Sequence, residues 1–259
     1  EISNREYLTF TGTYRGIPVS VIGTGIGTDN VEIALVEAFI AHEFDLTDNT
    51  RQSDCPPMTF IRLGTSGGVH PDIAPDTLAI SSYALGLDNT GLYYDEAPVD
   101  EIVERIEIKA KQILTDAALK DSRFRGKIIP YASKASIEIT EALAKQAAKH
   151  NVKFEVGITV SSPGFYGPSS RFIEGLKYTF PDIKGSLSRL EVDGLRVLNM
   201  EMESSLFFHL CGQMGYRAGT ICTVISASTS SDDVVDYDAA IGNTIKIGLK
   251  TLVDLNKAS

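Results

Sequence analysis

The chain has 259 residues, 43% of them hydrophobic, and a formal net charge of −10 at pH 7. Its length and apolar content predict one large core in a single α/β domain that spans residues 1–259. The negative charge argues against nucleic acid as the main partner, because phosphate backbones bind basic surfaces, and the lack of an apolar run of about 18 residues argues against a membrane span.

The predicted elements are strands that alternate with helices, as the changes of apolar periodicity indicate. In chain order they are strand 17–25, helix 29–43, strands 58–64 and 76–86, helix 99–119, strand 127–132, helix 136–149, strand 152–162, helix 202–214, strand 218–226 and helix 238–255. Such alternation predicts a largely parallel or mixed sheet covered by helices on both faces.

Local signals refine three places along this order. Asp29 with Glu32 fits a capping box at the start of the first helix. Gly215 is placed to end the helix that precedes it. The polar segment 45–57 predicts a surface loop.

The three cysteines, Cys55, Cys211 and Cys222, do not have the spacing of metal ligands. Two of them lie in apolar stretches of the sequence. We therefore expect no bound metal and a reducing, cytoplasmic compartment.

A first candidate site is the segment FIRLGTSGGV at residues 60–69, where we expect a strand to end in a glycine-rich loop. Arg62 offers planar, charged donors to an oxyanion, and the hydroxyls of Thr65 and Ser66 and the amides around Gly64 can add more. A turn of small residues with Arg62 in a structural ion pair explains the segment equally well. The nearby GTGIGTDN at 23–30 resembles a nucleotide-binding glycine loop, but tight packing accounts for it equally well.

A second candidate lies in LRVLNMEMESSLFF at residues 195–208, where Glu201 and Glu203 flank Met202 in an apolar stretch. A buried carboxylate needs donors, and two vicinal hydroxyls of a sugar can supply them. The alternative is a helix cap or an ion pair, which we favour for Glu201, whereas for Glu203 we favour ligand binding.

A third candidate is SSPGFYGPSSRF at residues 161–172, directly after a predicted strand. Phe165 offers a stacking face for a planar ring, and Arg171 can donate to a carbonyl oxygen. An ordinary surface loop is the alternative, and it would be favoured if the segment stood alone. Together the three segments predict a site for an anion, a polyol and a flat ring, as in a nucleoside with phosphate.

The stretches IRLGTSGG, SSPGFYGPSSRF and NMEMESS resemble, in order and spacing, the nucleoside phosphorylase-I family and within it the uridine phosphorylases. The resemblance runs over nearly the whole chain from about Arg5. It implies a single-domain, three-layer α/β/α fold with a mixed, partly barrel-like sheet. It also implies a homo-oligomer, usually a hexamer built from dimers.

The resemblance assigns roles to residues by position. The implied phosphate ligands are Arg62, Gly64, Thr65 and Ser66, with Arg5 reaching the site of a neighbouring subunit. The implied ribose contacts are Glu201, Met202 and Glu203, and the implied base contacts are Phe165, Ser169, Arg171 and Ser226.

The implied reaction is a pentosyl transfer in which phosphate displaces the base from C1′ of the sugar. Arg62, Glu203 and Arg171 would be its catalytic residues, acting on phosphate, ribose and departing base. Inorganic phosphate is then a co-substrate, and no metal or organic cofactor is expected.

Departures from the family pattern bear on the substrate. Ser169 stands where uridine phosphorylases usually place a base-reading glutamine, and Ser226 stands where the purine branch places an aspartate. The second change disfavours purines more strongly, because it removes an acid rather than one contact, and Asp232 and Asp233 lie several residues further on. Uridine is therefore the expected substrate. The alternatives are a purine phosphorylase, a nucleosidase that uses water, or a nucleoside-binding protein without activity.

The resemblance further implies a strand, a GDPxR-like phosphate segment and a histidine ahead of Arg5. The printed sequence begins at Glu1 without them. We expect that the sequence omits these residues, because loss of an interior strand would leave apolar surface uncovered. The alternative is a protein that has lost half of its phosphate site.

Overall fold

A seven-stranded mixed sheet forms the centre of the computed structural model, which describes residues 1–95, 99–226 and 236–258. The strands are β1 (Ile2–Asn4), β2 (Tyr7–Tyr14), β3 (Ile17–Gly23), β4 (Phe44–Asp45), β5 (Thr50–Arg51), β6 (Thr59–Gly68), β7 (Leu78–Gly86), β8 (Tyr131–Lys134), β9 (Phe154–Ser161), β10 (Glu191–Val192), β11 (Leu195–Glu201) and β12 (Arg217–Ser226). The α-helices are α1 (Thr28–Glu43), α2 (Glu101–Ala117), α3 (Ile137–Lys149), α4 (Ile183–Leu187), α5 (Ser204–Gln213) and α6 (Tyr237–Ala258). Short 3₁₀ turns lie at Thr90–Tyr93 and Gly167–Ser169.

Five of the central strands pair in a closed ring. β6 pairs with β12 in parallel, β12 with β7 antiparallel, β7 with β9 in parallel, β9 with β11 in parallel, and β11 with β6 antiparallel. β8 and β10 extend the ring beside β7 and β11. The predicted α/β fold, with a mixed and partly barrel-like sheet, is confirmed.

Helices cover the ring with apolar faces. α1 and α5 bury Leu35, Phe39 and Phe208 in one cluster. α3 and α6 bury side chains such as Leu143 and Ile247 against the sheet in another. α2 and α4 contribute to a third cluster around β9 and β11. No helix among the described residues is long and apolar enough to cross a bilayer.

β12 is the strand that the sequence predicted best. Its residues from Ala218 to Val224 are all buried. A strand with a neighbour on each side and helices over its faces must be apolar throughout, which explains the near-continuous apolar run.

The strand predicted at 127–132 lies instead at Tyr131–Lys134. Residues 127–130 are irregular, because the Lys111 ammonium donates hydrogen bonds to the carbonyls of Gly126 and Ile128, each at 2.6 Å. Pro130 also lacks a backbone N–H that could bond to a neighbouring strand.

The helix ends also differ in part from the prediction. α1 begins at Thr28 with Gly27 as its N-cap, so Asp29 lies in the first turn and the predicted capping box is absent. α5 begins at Ser204, two residues later than predicted. Gly215, with φ of +73°, follows α5 in the left-handed region, which confirms the predicted helix end.

The amino-terminal strands were not recognised in the sequence as a separate sheet. β1, β2 and β3 form an antiparallel three-stranded sheet apart from the ring. The segment 45–57 is mostly exposed, as predicted, although β4 and β5 form a small hairpin at its start.

One edge of β6 is largely open. The strand pairs with β12 along its length, but within the described residues it pairs with β11 only at Gly67 and Gly68. Successive amides of a strand point to alternate edges. About half of the amides in 59–66 therefore point away from β12, towards a cleft that β3 and α6 also line.

Candidate active site

A cavity of about 1340 Å³ brings together segments that lie far apart in the sequence. All but one of the predicted site residues line it, namely Arg62, Gly64, Thr65, Ser66, Phe165, Ser169, Arg171, Glu201, Met202, Glu203 and Ser226. Its volume exceeds the roughly 300–1,000 Å³ of a typical small-molecule site. Apolar side chains such as Ile17, Phe60 and Leu252 line it as well.

The predicted glycine-rich loop is wrong, because residues 64–68 continue β6 as a strand. Pairing with β12 runs through Thr65 and Ser66 and overrides the low strand propensity of glycine. Arg62 and Gly64 point to the same face, since side chains alternate along a strand. A Cβ at Gly64 would lie 2.7 Å from Nη1 of Arg62, so the guanidinium folds directly over this glycine.

Arg62 is held by two carboxylates. Its Nη1 lies 2.9 Å from Oε2 of Glu201, its Nη2 contacts Glu203, and Nη1 also donates to Sγ of Cys222 at 3.0 Å. Burial alone would lower the pKa of Arg62, but the nearby negative charges outweigh it and raise the pKa above its usual value. The structure thus contains the ion pair that the sequence offered as the alternative to phosphate binding. Phosphate binding stays a prediction.

Glu201 organises the start of α5. Its carboxylate accepts from the backbone N–H of Glu203 and of Ser204 at 3.1 Å, and from the hydroxyl of Ser161 at 2.5 Å. These bonds satisfy free amides at the helix start. Glu201 thus forms the ion pair and the helix-start bonds that the sequence favoured for it, and its implied contact with ribose stays a prediction.

Glu203 faces the cavity from the other side of Arg62. Oε1 accepts from the N–H of Gly27 at 2.8 Å, and only 5% of the residue is exposed. Burial raises the pKa of Glu203 and the like charge of Glu201 adds to this, against the opposing effects of Arg62 and the Gly27 amide. Oε2 also accepts from the N–H of Met202 at 3.2 Å, so Oε1 is the oxygen with a lone pair for a further donor such as a sugar hydroxyl.

Aromatic and cationic side chains form another part of the cavity wall. Phe165 is 56% exposed, and the guanidinium of Arg171 lies 4.0 Å from its ring centroid. Arg171 also donates to the carbonyl of Phe165 at 2.9 Å. Ser169 donates to the carbonyl of Gly164 at 3.4 Å. A flat ring can stack here beside a fixed positive charge.

Arg5 does not line the cavity. It lies in the turn between β1 and β2 with φ of +52° and is exposed. Its predicted contact with a neighbouring subunit stays a prediction. Asp232 and Asp233 lie outside the described residues.

Three functional contacts were missed in the sequence. Gly27 donates to Glu203 from a left-handed conformation with φ of +97°, which glycine adopts without strain. Cys222 contacts Arg62 from β12, and Ser161 joins β9 to Glu201. The glycine-rich GTGIGT pattern could have indicated that Gly27 lies at the site. The structure places the residues before it in the cavity wall, namely Gly23, Thr24, Gly25 and Ile26. The other two contacts depend on strand pairing, which leaves no local signal.

A family model described as "Phosphorylase superfamily" matches residues 1–253. A uridine phosphorylase from Thermococcus kodakarensis is 32% identical over 232 residues, which cover 88% of this chain and 65%, just under two thirds, of that protein. A uridine phosphorylase from Haemophilus influenzae is 25% identical over 99% of this chain and 82% of its own length. Among solved structures, a Trypanosoma brucei nucleoside phosphorylase described as showing uridine phosphorylase activity has a TM-score of 0.84 and 30% identity. That match covers 98% of this chain and 85% of the other.

Proposed function

Since the chain belongs to the phosphorylase superfamily, we propose that it is an enzyme that cleaves the N-glycosidic bond of a pyrimidine nucleoside, uridine first, with inorganic phosphate. The products are the free base and ribose 1-phosphate. The observation that carries the proposal is that one cavity joins Arg62, Glu203 and Phe165, which suit an anion, a sugar and a planar base. The names of the Thermococcus and Haemophilus relatives support uridine as the substrate.

Phosphate binds beside Arg62 in this proposal. A guanidinium has five N–H donors, and the contacts with Glu201, Glu203 and Cys222 do not engage all of them. The hydroxyl of Thr65 and the outward amides of β6 add donors along the open strand edge. Because the two carboxylates fix the orientation of Arg62, phosphate meets a preorganised donor rather than a mobile side chain.

Ribose binds through the carboxylate of Glu203. Oε1 of Glu203 accepts from Gly27, and Oε2 contacts Arg62 and accepts from the N–H of Met202, so the remaining lone pair on Oε1 is the one suited to a sugar hydroxyl. Met202 lies between the two glutamates and lines the same cavity, so it can pack against the sugar ring. The sugar is thereby held between the phosphate and the base.

The chemical step follows from this arrangement. A phosphate oxygen forms a bond to C1′ while the bond from C1′ to N1 of the base breaks, and its electron pair stays on the base. The proton of hydrogen phosphate ends on the released base. Arg171 stabilises the negative charge that develops on the base, and loss of such a donor costs roughly 10²–10³ in kcat.

The test is the release of base from a panel of nucleosides with and without phosphate. We expect uridine to react only with phosphate and to yield ribose 1-phosphate, and inosine to react far more slowly. Release without phosphate would identify a nucleosidase instead, and preferred release from inosine would identify a purine enzyme. Uridine binding without turnover would identify a protein that only binds nucleosides.

Two matched variants connect the activity to the cavity. Arg62→Met should raise the KM for phosphate by about 10²-fold, since charged hydrogen bonds contribute roughly 1.5–3 kcal/mol. Arg105→Met removes an arginine from an exposed ion pair with Asp193, and its kinetics should match the wild type. An unchanged phosphate KM in Arg62→Met would place the anion elsewhere.

Assembly and location complete the proposal. We propose a homo-oligomer in which Arg5 reaches a neighbouring subunit, which its position in an exposed turn supports. We also propose a cytoplasmic location, which the free thiols of Cys55, Cys211 and Cys222 support. Light scattering would measure the subunit number, and activity in mixtures of inactive Arg5→Met and Glu203→Gln proteins would test whether sites are shared.

A further inference from the structure

A lysine that the sequence did not single out lines the cavity beside the aromatic part of its wall. Lys184 is the second residue of α4 and lines the same cavity as Phe165 and Arg171. Its backbone N–H donates to Oγ of Ser170 at 3.1 Å, and Asp182 caps α4 by accepting from Gly185 at 2.8 Å. The loop that carries Arg171 and the helix that carries Lys184 are therefore tied together.

Lys184 and Arg171 place two positive charges close together. Within the described residues, neither side chain forms an ion pair. Burial lowers the pKa of Lys184, and the charge of Arg171 lowers it further against the opposing effect of Asp182. Like charges at a partly buried site repel each other, and a negative ligand between them relieves this repulsion. The pair is thus suited to a group that carries negative charge.

The proposed reaction creates negative charge on one group at this end of the site, the departing base. Once the bond to C1′ breaks, the electron pair spreads over the ring onto the carbonyl oxygens of the pyrimidine. Ser169 cannot offer the paired contacts of an amide, and its hydroxyl is directed to the carbonyl of Gly164. Without Lys184, the charged donor beside Phe165 would be the guanidinium of Arg171, which is stacked on the Phe165 ring.

We propose that Lys184 is a further catalytic residue, whose ammonium contacts a carbonyl oxygen of the base and stabilises the negative charge of the leaving group together with Arg171. This inference rests on the proposed function. It assigns the base its second charged donor, and it explains why neither cation forms an ion pair within the part of the chain that the structure describes.

The test compares uridine with 5-fluorouridine in Lys184→Met, in Lys184→Arg and in the wild type, at saturating phosphate. Fluorine withdraws electrons, so the departing base stabilises its own anion and depends less on the enzyme. We expect Lys184→Met to lose about 10²-fold in kcat on uridine and clearly less on 5-fluorouridine. Lys184→Arg should restore part of the uridine rate because it keeps the charge.

Lys177→Met is the matched control, since Lys177 is exposed and does not line the cavity. It should react with both nucleosides as the wild type does. Melting temperatures within a few degrees of the wild type establish that the Lys184 variants are folded; should Lys184→Met not fold, the comparison of Lys184→Arg with Lys184→Gln decides in the same way.

Three results would overturn the inference. They are an unchanged kcat in Lys184→Met, an equal loss on both nucleosides, and a rise only in the KM for phosphate, which would make Lys184 a phosphate ligand. A wild-type protein without phosphate-dependent turnover would instead refute the proposed function, and the role of Lys184 with it. Wild-type turnover on uridine therefore separates the two failures.

Discussion

Glu201 and Glu203 contact the same arginine, but substitution of each by glutamine should have a different effect. Glu201→Gln should mainly lower stability, and Glu203→Gln should mainly lower activity. Glu201 is surrounded by donors on all sides, from Ser161, Ser204 and the backbone of Glu203 as well as from Arg62. Glutamine would turn an NH₂ group towards one of these donors and leave both unpaired. Glu203 instead shares its carboxylate among Arg62 and the amides of Gly27 and Met202, and it lines the cavity.

The contacts of each glutamate determine how much free energy of unfolding its substitution should cost. Removal of one partner from a buried ion pair costs roughly 3–5 kcal/mol, and we expect about 3 kcal/mol for Glu201→Gln because Arg62 keeps Glu203. At about 2–4 °C per kcal/mol, the melting temperature should fall by about 6–12 °C. For Glu203→Gln we expect about 1–2 kcal/mol, since the amide oxygen still accepts from Gly27.

For activity we expect the opposite order, with the larger loss in Glu203→Gln and the smaller loss in Glu201→Gln. Glu203→Gln should lower kcat/KM for uridine by about 10²–10³ through weaker contacts with the sugar hydroxyls. Glu201→Gln, measured well below its melting temperature, should lose less. The assays are a thermal melt followed by circular dichroism and phosphate-dependent release of uracil. Glu191→Gln, an exposed change on β10, should stay within about 0.5 kcal/mol of the wild type.

The reasoning fails if the order is reversed. A Glu203→Gln protein that melts as low as Glu201→Gln but keeps wild-type turnover would make Glu203 a structural ion-pair residue. Equal melting temperatures for the wild type and Glu201→Gln would show that the buried pair with Arg62 adds nothing to stability.

Three other predictions concern the same cavity. Phe165→Ala should raise the KM for uridine by roughly 10-fold to 100-fold in steady-state kinetics, because aromatic stacking contributes about 1–3 kcal/mol per base, and should leave the phosphate KM unchanged. Gly64→Ala should weaken phosphate binding, measured as its KM, because the new methyl group displaces the Arg62 guanidinium, whereas Gly12→Ala meets no atom within 4 Å and should behave as the wild type. Burial raises the pKa of Glu203, so the uridine rate should fall as the pH is lowered through that raised pKa, and Glu203→Gln should lack this acid limb in a pH profile.

The candidate site was predictable from the sequence where its chemistry is local. Arg62, Glu203 and Phe165 stand in short segments whose residue types point to one chemical task, and each lines the cavity. The glycines after Arg62 were misread as a loop, because propensity cannot show that β12 continues to pair with them. The same limit hid Lys184, which needs tertiary structure to reach the base loop.

Elements of the fold that depend on local sequence were also predicted well, whereas those that depend on distant contacts were not. Buried strands such as β12 carry a continuous apolar run and were predicted closely. The strand at 127–132 was misplaced because the distant Lys111 donates to the carbonyl of Ile128 in that segment and to the carbonyl of Gly126 just before it. The Asp29 cap was wrong because the left-handed conformation of Gly27 starts α1 one residue earlier.

The closed ring of strands has a consequence for the rate of the proposed reaction. Arg62, Ser161 and Glu201 all lie on strands of that ring, so the paired backbone holds them at fixed positions relative to one another. Phe165 and Arg171 belong to a connecting segment beyond it. In the proposed reaction we expect the base to enter and leave by movement of this connecting segment, while the strands of the ring keep their alignment. In the proposed reaction we therefore expect this movement, rather than reassembly of Arg62, Ser161 and Glu201, to limit turnover.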